Sequence, residues 1–521
     1  MLPRSYSEFY IDGQWRATDS TESFPVVSPS TGEPIGEVPR ATRSDIDAAV
    51  EAARHAFYET DWATRPVEER AALCEALAAR LYEVKDEMAE LLVDELGCTR
   101  MLADVYQAVA PTLHWNYNAE VGRTFPFKEV RTADLGPLAG GSAGGMIMPY
   151  QTQALVVQEP VGVVATMVAY NFTMPGTSQK VAPAIVAGCT VVIKVPEPDP
   201  LAVFALGQLV HEVGFPPGVI NIVAAGPEES AYLVSHPDVD MVSFTGSTTV
   251  GSHIGRECGA LIRPVVLELG GKSAAIVLDD ADLDTTVPTL LGVSVIPSSG
   301  QSCVCQSRFL VSEARHDELV ERLVAAMADI RVGDPHDPQV DMGPLITEAH
   351  RERVLAMIRR AVDQGATVAF GGGVPEGLDT GWYVEPTLLT GVTPDMEIAQ
   401  EEVFGPVVAV ISYRDEQDAI RIANDSRYGL AGSVYTSDVE RGFEIARRVR
   451  TGTFSVNSFS ADFNSPFGGF KESGIGREHG VAGLEGYLIP KSISVDPSMA
   501  IPESVVRDAD VVTSGVRKGG A

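Results

Sequence analysis

From about residue 155 the chain alternates short apolar runs with stretches of helical periodicity. The runs are Val161–Val168, Thr190–Val195, Val219–Ala225, Met241–Phe244 and Ala274–Leu278. They are apolar at consecutive positions rather than every second one, the pattern of strands buried on both faces. Helical segments between such runs predict parallel βαβ crossovers and a doubly wound sheet. Ligands of such a sheet are expected beyond the carboxyl ends of its strands. After Gly270-Gly271 a second α/β pattern begins, with helices near Asp317–Ile330 and Glu348–Gln364 and strands near Val407–Ile411 and Gly452–Val456.

The first 150 residues are architectural in pattern. Tyr10–Trp15 predicts a hairpin closed by Asp12-Gly13. Ser44, with Asp47 three residues on, predicts a helix start, followed by an apolar stripe through Ile46, Ala49, Val50, Ala53 and Phe57. A second helical region is expected to open at Pro66 and close at Gly97. The Gly- and Pro-rich stretch 136–149 interrupts the first domain and leads into a protruding strand at Gln153–Gln158, while 501–521 shows no apolar period and is expected to be a flexible or loosely docked tail.

At 521 residues the chain is too long for one ordinary core. Hydrophobic content of 45% and charged content of 21% describe a globular protein with ample buried sheet. A formal charge of −32 argues against nucleic acid and anionic membrane as partners. The start, Met1 to Tyr6, shows no signal-peptide apolar region, and no run approaches the roughly 20 apolar residues of a membrane span. Six cysteines (74, 98, 189, 258, 303, 305) in so long a chain are no disulfide framework, so a reducing cytoplasm is expected. Cys303-x-Cys305 lacks a second Cys/His pair at ligand spacing, so no metal is expected.

Chemistry enters with two glycine-marked segments, Gly300-Gln301-Ser302-Cys303 and Leu267-Glu268-Leu269-Gly270-Gly271. If the fold brings them together, Cys303 as nucleophile and Glu268 as base can form and hydrolyse a thioester. Read alone, a buried cysteine is more often inert packing. Phe244-Thr245-Gly246-Ser247 follows a strand and opens a helix, where Gly246 permits a tight turn and Ser247 can hydrogen-bond a phosphate. Lys194 and Glu197 leave the strand Thr190–Ile193; a carboxylate there can accept from ribose hydroxyls and would repel a 2′-phosphate. Either is, in isolation, more commonly a solvated loop charge. Asn171, at another strand exit, can donate to an oxyanion or simply form a turn. Two look-alikes are set aside: Gly140–Gly144 fits G-x-S-x-G without the required strand and helix, and Gly474–Gly480 resembles a dinucleotide loop without the strand or spacing.

Over residues 8 to 495 these segments resemble the NAD(P)-dependent aldehyde dehydrogenase superfamily, hydrolytic type. Asn171-Phe172, Lys194 to Glu197, Phe244 to Ser247, Leu267 to Gly271, Gly300 to Cys303, Glu401 to Pro406 and Ser465 to Gly469 stand in family order at family spacing. The resemblance implies two doubly wound, Rossmann-like α/β domains and a small β oligomerisation arm. These would be a cofactor domain (1–135 and 159–270), a catalytic domain (271–483) and an arm (136–158 and 484–500). It implies homodimers or homotetramers. It places Lys194 and Glu197 on the adenosine ribose, Ser247 with Gly246 and Gly270 at the cofactor, and Glu402 and Phe404 on the nicotinamide ribose. NAD+ is favoured, with NADP+ accepted by some members that carry this glutamate.

The implied reaction is oxidation of an aldehyde to its acid. Cys303 adds to the carbonyl, Asn171 stabilises the alkoxide, hydride leaves, and Glu268 activates the water that hydrolyses the thioester; Lys180 matches a lysine implicated in proton relay. Departures from the family concern the tunnel: Thr173 replaces a usual proline, and Gln179 stands where many members carry tryptophan. Phe172, Met174, Phe463 and Phe467 still suggest an apolar tunnel, and a neutral aliphatic or aromatic aldehyde is expected. The competing readings are a semialdehyde dehydrogenase of the same mechanism, a cofactor-free cysteine esterase, and a catalytically silent structural protein on this scaffold.

Overall fold

The computed structural model describes residues 2–134, 151–459, 462–506 and 510–515. The 136–149 stretch, with its G-x-S-x-G look-alike, lies outside them.

Two large sheets carry the architecture. The first has eight strands, with a parallel centre ordered Val265–Glu268, Met241–Thr245, Val163–Met167, Thr190–Val195, Ile220–Ala224. The chain moves outward from Val163–Met167 in one direction, then crosses back to Met241–Thr245 on its other side. That reversal opens a crevice at the carboxyl ends of the two strands. The amino-terminal hairpin, Glu8–Ile11 with Gln14–Ala17, caps one edge of this sheet, and its turn residues Asp12 (φ 54°) and Gly13 (φ 74°) both sit in the left-handed region.

The second sheet has seven strands, including Gln306–Ser312, Ser273–Val277 and Val407–Tyr413 at its parallel centre. Ala274, Ile276 and Leu278 pack into one apolar cluster while Ala275 and Val277 pack into another on the opposite face. Both faces of the strand are therefore covered, which is why its hydrophobicity runs unbroken. A third, four-stranded sheet is built from Leu488–Val495, Gln151–Pro160, Lys128–Asp134 and Asp510–Gly515.

The structure differs from the sequence expectation in several places. The first helix, Arg43–Tyr58, is capped by Thr42 and not Ser44: the Thr42 hydroxyl accepts from the Asp45 N–H while the Asp45 carboxylate accepts from the Thr42 N–H. Two capping boxes of equal spacing overlap in the sequence; Asp45 turns back to Thr42 and also accepts from Thr18, whereas Asp47 accepts from the Tyr232 hydroxyl instead. The Pro66–Gly97 region is two helices, Val67–Glu83 and Lys85–Leu96, broken at Val84. The four-stranded sheet begins at Lys128, inside the span assigned to the cofactor domain. Residues 510–515 of the expected tail pair in parallel with Lys128–Asp134, so this segment joins the sheet by backbone hydrogen bonds that an apolar period does not report.

The capping assignment is testable. Thr42→Ala is expected to lower stability by about 1 kcal/mol, and Ser44→Ala by under about 0.5 kcal/mol, read from the midpoint of urea unfolding.

Candidate active site

The two large sheets meet end to middle through Leu269–Lys272, which leaves the carboxyl end of Val265–Glu268 and enters the amino end of Ser273–Val277. Residues at strand exits of the first sheet therefore face residues at strand entrances of the second. Asn171, in the single 3₁₀ turn Tyr170–Phe172 after Val163–Met167, and Glu268 come from the first; Cys303, just before Gln306–Ser312, comes from the second. All three line one cavity of about 700 Å³.

The loop bearing Cys303 is shaped by a run of positive φ at Ser298, Ser299 and Gly300. Gln301 fastens it: its side-chain oxygen accepts from the Ile346 N–H (3.0 Å), and its backbone carbonyl accepts from the Asn171 amide (2.9 Å). Asn171 is thus tied to the cysteine loop through one amide hydrogen. All six cysteines are free thiols, five of them buried, and only Cys303 has partial access to the surface. Cys305 is turned inward onto the Ser294 carbonyl.

Burial dominates the electrostatics. It pushes the Glu268 carboxyl well above the usual carboxylate range, with Glu478 adding to the shift and Lys180 opposing it. Burial likewise raises the Cys303 thiol well above its ordinary value, reinforced by Glu268 and Glu402 and opposed by the Val304 N–H. Burial thus favours the uncharged form of both members of the pair. Lys180, on the helix Thr173–Ala187, forms a fully buried ion pair with Glu478, which also accepts from Gln179.

The remaining expected site residues separate into two groups. Phe172, Gln179 and Phe467 line the cavity, whereas Met174 is fully buried in the main core and Phe463 packs its ring on His114 (4.4 Å). Thr173, the departure from the usual proline, donates to the buried Asp199 carboxylate and to the Tyr170 carbonyl, joining the Asn171 turn to the loop after Thr190–Val195.

Around the crevice, Ser247 caps the helix Thr248–Ala260 by accepting from Val250 N–H. A Cβ on Gly246 would stand 2.4 Å from the Phe244 ring, so the backbone there is left bare. Lys194 and Glu197 lie together at the end of Thr190–Val195, and Glu197 opposes the burial that lowers the Lys194 amine. Glu402 accepts from the Gly271 N–H (2.9 Å), and its carboxyl is pushed up to about 7, chiefly by burial. A hydroxyl-rich helix start, a bare turn and two carboxylates at a topological crevice are the donor and acceptor set of a dinucleotide.

Sequence reasoning passed over Glu478, Tyr106, Asp462 and Arg477, all on the cavity wall. Glu478 sits in the discarded Gly474–Gly480 stretch. That stretch in fact adds an edge strand, Gly474–Ile475, beside Val265–Glu268 and so carries Glu478 to Lys180, 298 residues earlier. No local signal marks a pairing over that separation.

This combination of fold and cavity defines an enzyme of the aldehyde dehydrogenase class. The family model for the aldehyde dehydrogenase family matches residues 15–493, and the chain belongs to that family. Among similar proteins is 3-succinoylsemialdehyde-pyridine dehydrogenase of a Pseudomonas species, 39% identical over 493 residues, covering 94% of this chain and 98% of that one. The aldehyde dehydrogenase of Mycobacterium tuberculosis, solved with NAD+, is 42% identical with a TM-score of 0.90, covering 95% of this chain and 99% of the other. A cysteine-to-alanine mutant of aldehyde dehydrogenase C from Pseudomonas syringae, solved with NAD+ and octanal, is 36% identical with a TM-score of 0.87, covering 94% of this chain and 97% of the other. The chain is an oxidoreductase acting on the aldehyde group.

The Lys180–Glu478 pair yields a stability prediction. Lys180→Met strands a buried carboxylate and is expected to cost about 3–5 kcal/mol, most of it recovered in the Lys180→Met/Glu478→Gln double variant, as measured by urea unfolding.

Proposed function

We propose that this chain oxidises a neutral aliphatic or aromatic aldehyde to the carboxylic acid with NAD+, through covalent chemistry at Cys303. The observation that carries this reading is the convergence of Cys303, Glu268 and Asn171 on one cavity. An aldehyde carbon is a poor hydride donor while it is sp², and addition of the Cys303 sulfur makes it tetrahedral. The thiol proton passes to ionised Glu268, and the second amide hydrogen of Asn171 with the Cys303 backbone N–H stabilises the alkoxide. NAD+, when bound, supplies the hydride acceptor. Lys194 and Glu197 would hold its adenosine ribose, Ser247 beside the bare Gly246 turn its pyrophosphate, and Glu402 with Phe404 its nicotinamide ribose, with Gly270 leaving space for Glu402. Glu268 passes the thiol proton on, with the Lys180–Glu478 pair as the proposed relay, and then deprotonates the water that hydrolyses the thioester left on Cys303. Glu197 disfavours a 2′-phosphate, which makes NAD+ the preferred cofactor over NADP+.

Support for a neutral substrate comes from the walls. Phe172, Phe454, Phe459 and Phe467 supply apolar area, and the Pseudomonas syringae relative was solved with octanal, an apolar chain. Arg477 also lines the cavity, but its guanidinium is turned to the Gly469 and Gly476 carbonyls and packs on Phe470. It is the specific observation behind the semialdehyde alternative. The four-stranded sheet is the proposed arm of a homodimer or homotetramer, and the cytoplasm is the proposed compartment; no helix among the described residues is long and apolar enough to cross a membrane.

Four outcomes test this reading. Cys303→Ala is expected to abolish NADH formation from aldehyde, and persistent oxidation in it overturns the mechanism. Glu268→Gln is expected to slow the NADH burst, because the thiol proton loses its acceptor, and to lower steady-state turnover about 10²–10⁴-fold. Only ionised Glu268 acts as a base and its pKa is raised, so the steady-state rate should climb with pH through that raised value, and this limb should vanish in Glu268→Gln. On an aldehyde panel, kcat/KM is expected to be higher for straight-chain and aromatic aldehydes than for anionic semialdehydes; the reverse order gives Arg477 a substrate role.

A further inference from the structure

The turn Glu402–Phe404 is gripped from behind by a single helix. His350 and Arg353 stand one helical turn apart on Glu348–Asp363, which Thr347 caps at its start. The Arg353 guanidinium donates to the Glu402 carbonyl (2.7 Å) and to the Val403 carbonyl (2.7 Å). His350 Nε2 lies 2.6 Å from the Phe404 carbonyl, and a carbonyl can only accept, so this nitrogen carries the proton. Three consecutive carbonyls are therefore held by two side chains of one helix.

The turn needs such a hold. Phe404 has φ 57°, in the left-handed region, which is strained for a bulky residue and persists only where surroundings over-determine it. Glu402 is fixed at its other end by the Gly271 N–H, and a Cβ on Gly270 would come within 2.5 Å of its carboxylate. The His350 ring also contacts Tyr170 and Phe404 (centroids 6.5 and 6.1 Å), and Tyr170 precedes Asn171. Burial keeps His350 neutral, so it acts as a hydrogen-bond donor and not as a charge.

We infer that His350 and Arg353 are positioning residues: a backbone clamp that holds Glu402 and Phe404 in the geometry that seats the nicotinamide ribose. This rests on the reading of Glu402 and Phe404 as cofactor residues. The clamp acts through main-chain carbonyls, so its loss moves the Glu402 carboxylate and the Phe404 ring together. Cys303 lies on a separate loop, which Gln301 fastens to Ile346 and Asn171.

The test uses the full chain and compares Arg353→Met, His350→Leu, His350→Gln and Glu402→Ala. Read out are kcat and KM for NAD+ at saturating aldehyde, the rate of Cys303 alkylation by iodoacetamide without cofactor, and thermal stability. Arg353→Met is expected to lower kcat/KM for NAD+ about tenfold, the loss of two charge-assisted hydrogen bonds, with alkylation changed by less than about twofold. His350→Leu should shift in the same direction, and His350→Gln, whose amide can still donate, should recover most of the loss. A merely structural role would lower stability and alkylation together, without rescue by glutamine. Wild-type NAD+ kinetics in both Arg353→Met and His350→Leu, while Glu402→Ala is impaired, overturns the clamp and leaves the cofactor reading standing. Wild-type NAD+ kinetics in Glu402→Ala overturns the cofactor reading and the clamp with it. Should Arg353→Met fail to fold, Arg353→Lys keeps one donor and is expected to lose part of the NAD+ efficiency; unchanged kinetics there and in His350→Leu overturn the proposal.

Discussion

The close approach of the Glu402 carboxylate and the Cys303 backbone to the bare Gly270-Gly271 peptide is the constraint on which this site depends. A Cβ at Gly270 would stand 2.5 Å from the Glu402 carboxylate, and one at Gly271 would stand 2.2 Å from the Cys303 carbonyl. Those two glycines are where the chain passes from the first sheet to the second. Without side chains there, loops from the second sheet close onto the strand exits of the first. Glu268, two residues before Gly270, is delivered into the same cavity as Cys303 by that passage. One local feature, the absence of two side chains, sets the distance between nucleophile, base and the turn that carries Glu402.

The low dielectric created by this closure shapes the chemistry. Burial is the largest influence on Glu268, on Cys303 and on Glu402, and it favours the uncharged form of each. Three acids in one enclosure cannot all ionise cheaply, and each anion raises the proton affinity of the next. Lys180 is the compensating cation, but its ammonium is spent on Glu478. Burial therefore makes each deprotonation in the site costly, and the reaction has to meet that cost.

Position within each sheet accounts for what is and is not legible in the chain. The parallel strands of the first sheet are readable because both faces are covered, and the residues at their exits, Asn171, Lys194, Ser247 and Glu268, stand out by that position. The second sheet presents its residues at strand entrances, Cys303 before Gln306–Ser312 and Glu402 with Phe404 before Val407–Tyr413. No strand-exit rule finds those; only their glycine-flanked motifs do. Met174 and Phe463 show the limit of composition, since an apolar residue near a site packs as readily into the core, or onto a histidine, as into the cavity. Thr42 and Ser44 show it again, because capping boxes overlap and the partner Thr18 lies outside the local window.

The α/β class, the parallel strands, the nucleophile and base motifs, and the turn at Gly246-Ser247 are all written in the order of residues alone. These are properties of short segments, in which periodicity and local hydrogen bonding carry the information. Which segments share a cavity is settled by packing in three dimensions. Lys180 meets Glu478 across 298 residues, Asn171 meets Gln301 across 130, and one helix holds three carbonyls about 50 residues away. Such contacts are fixed by how two sheets and their connecting glycines come together. No window of neighbouring residues contains that geometry.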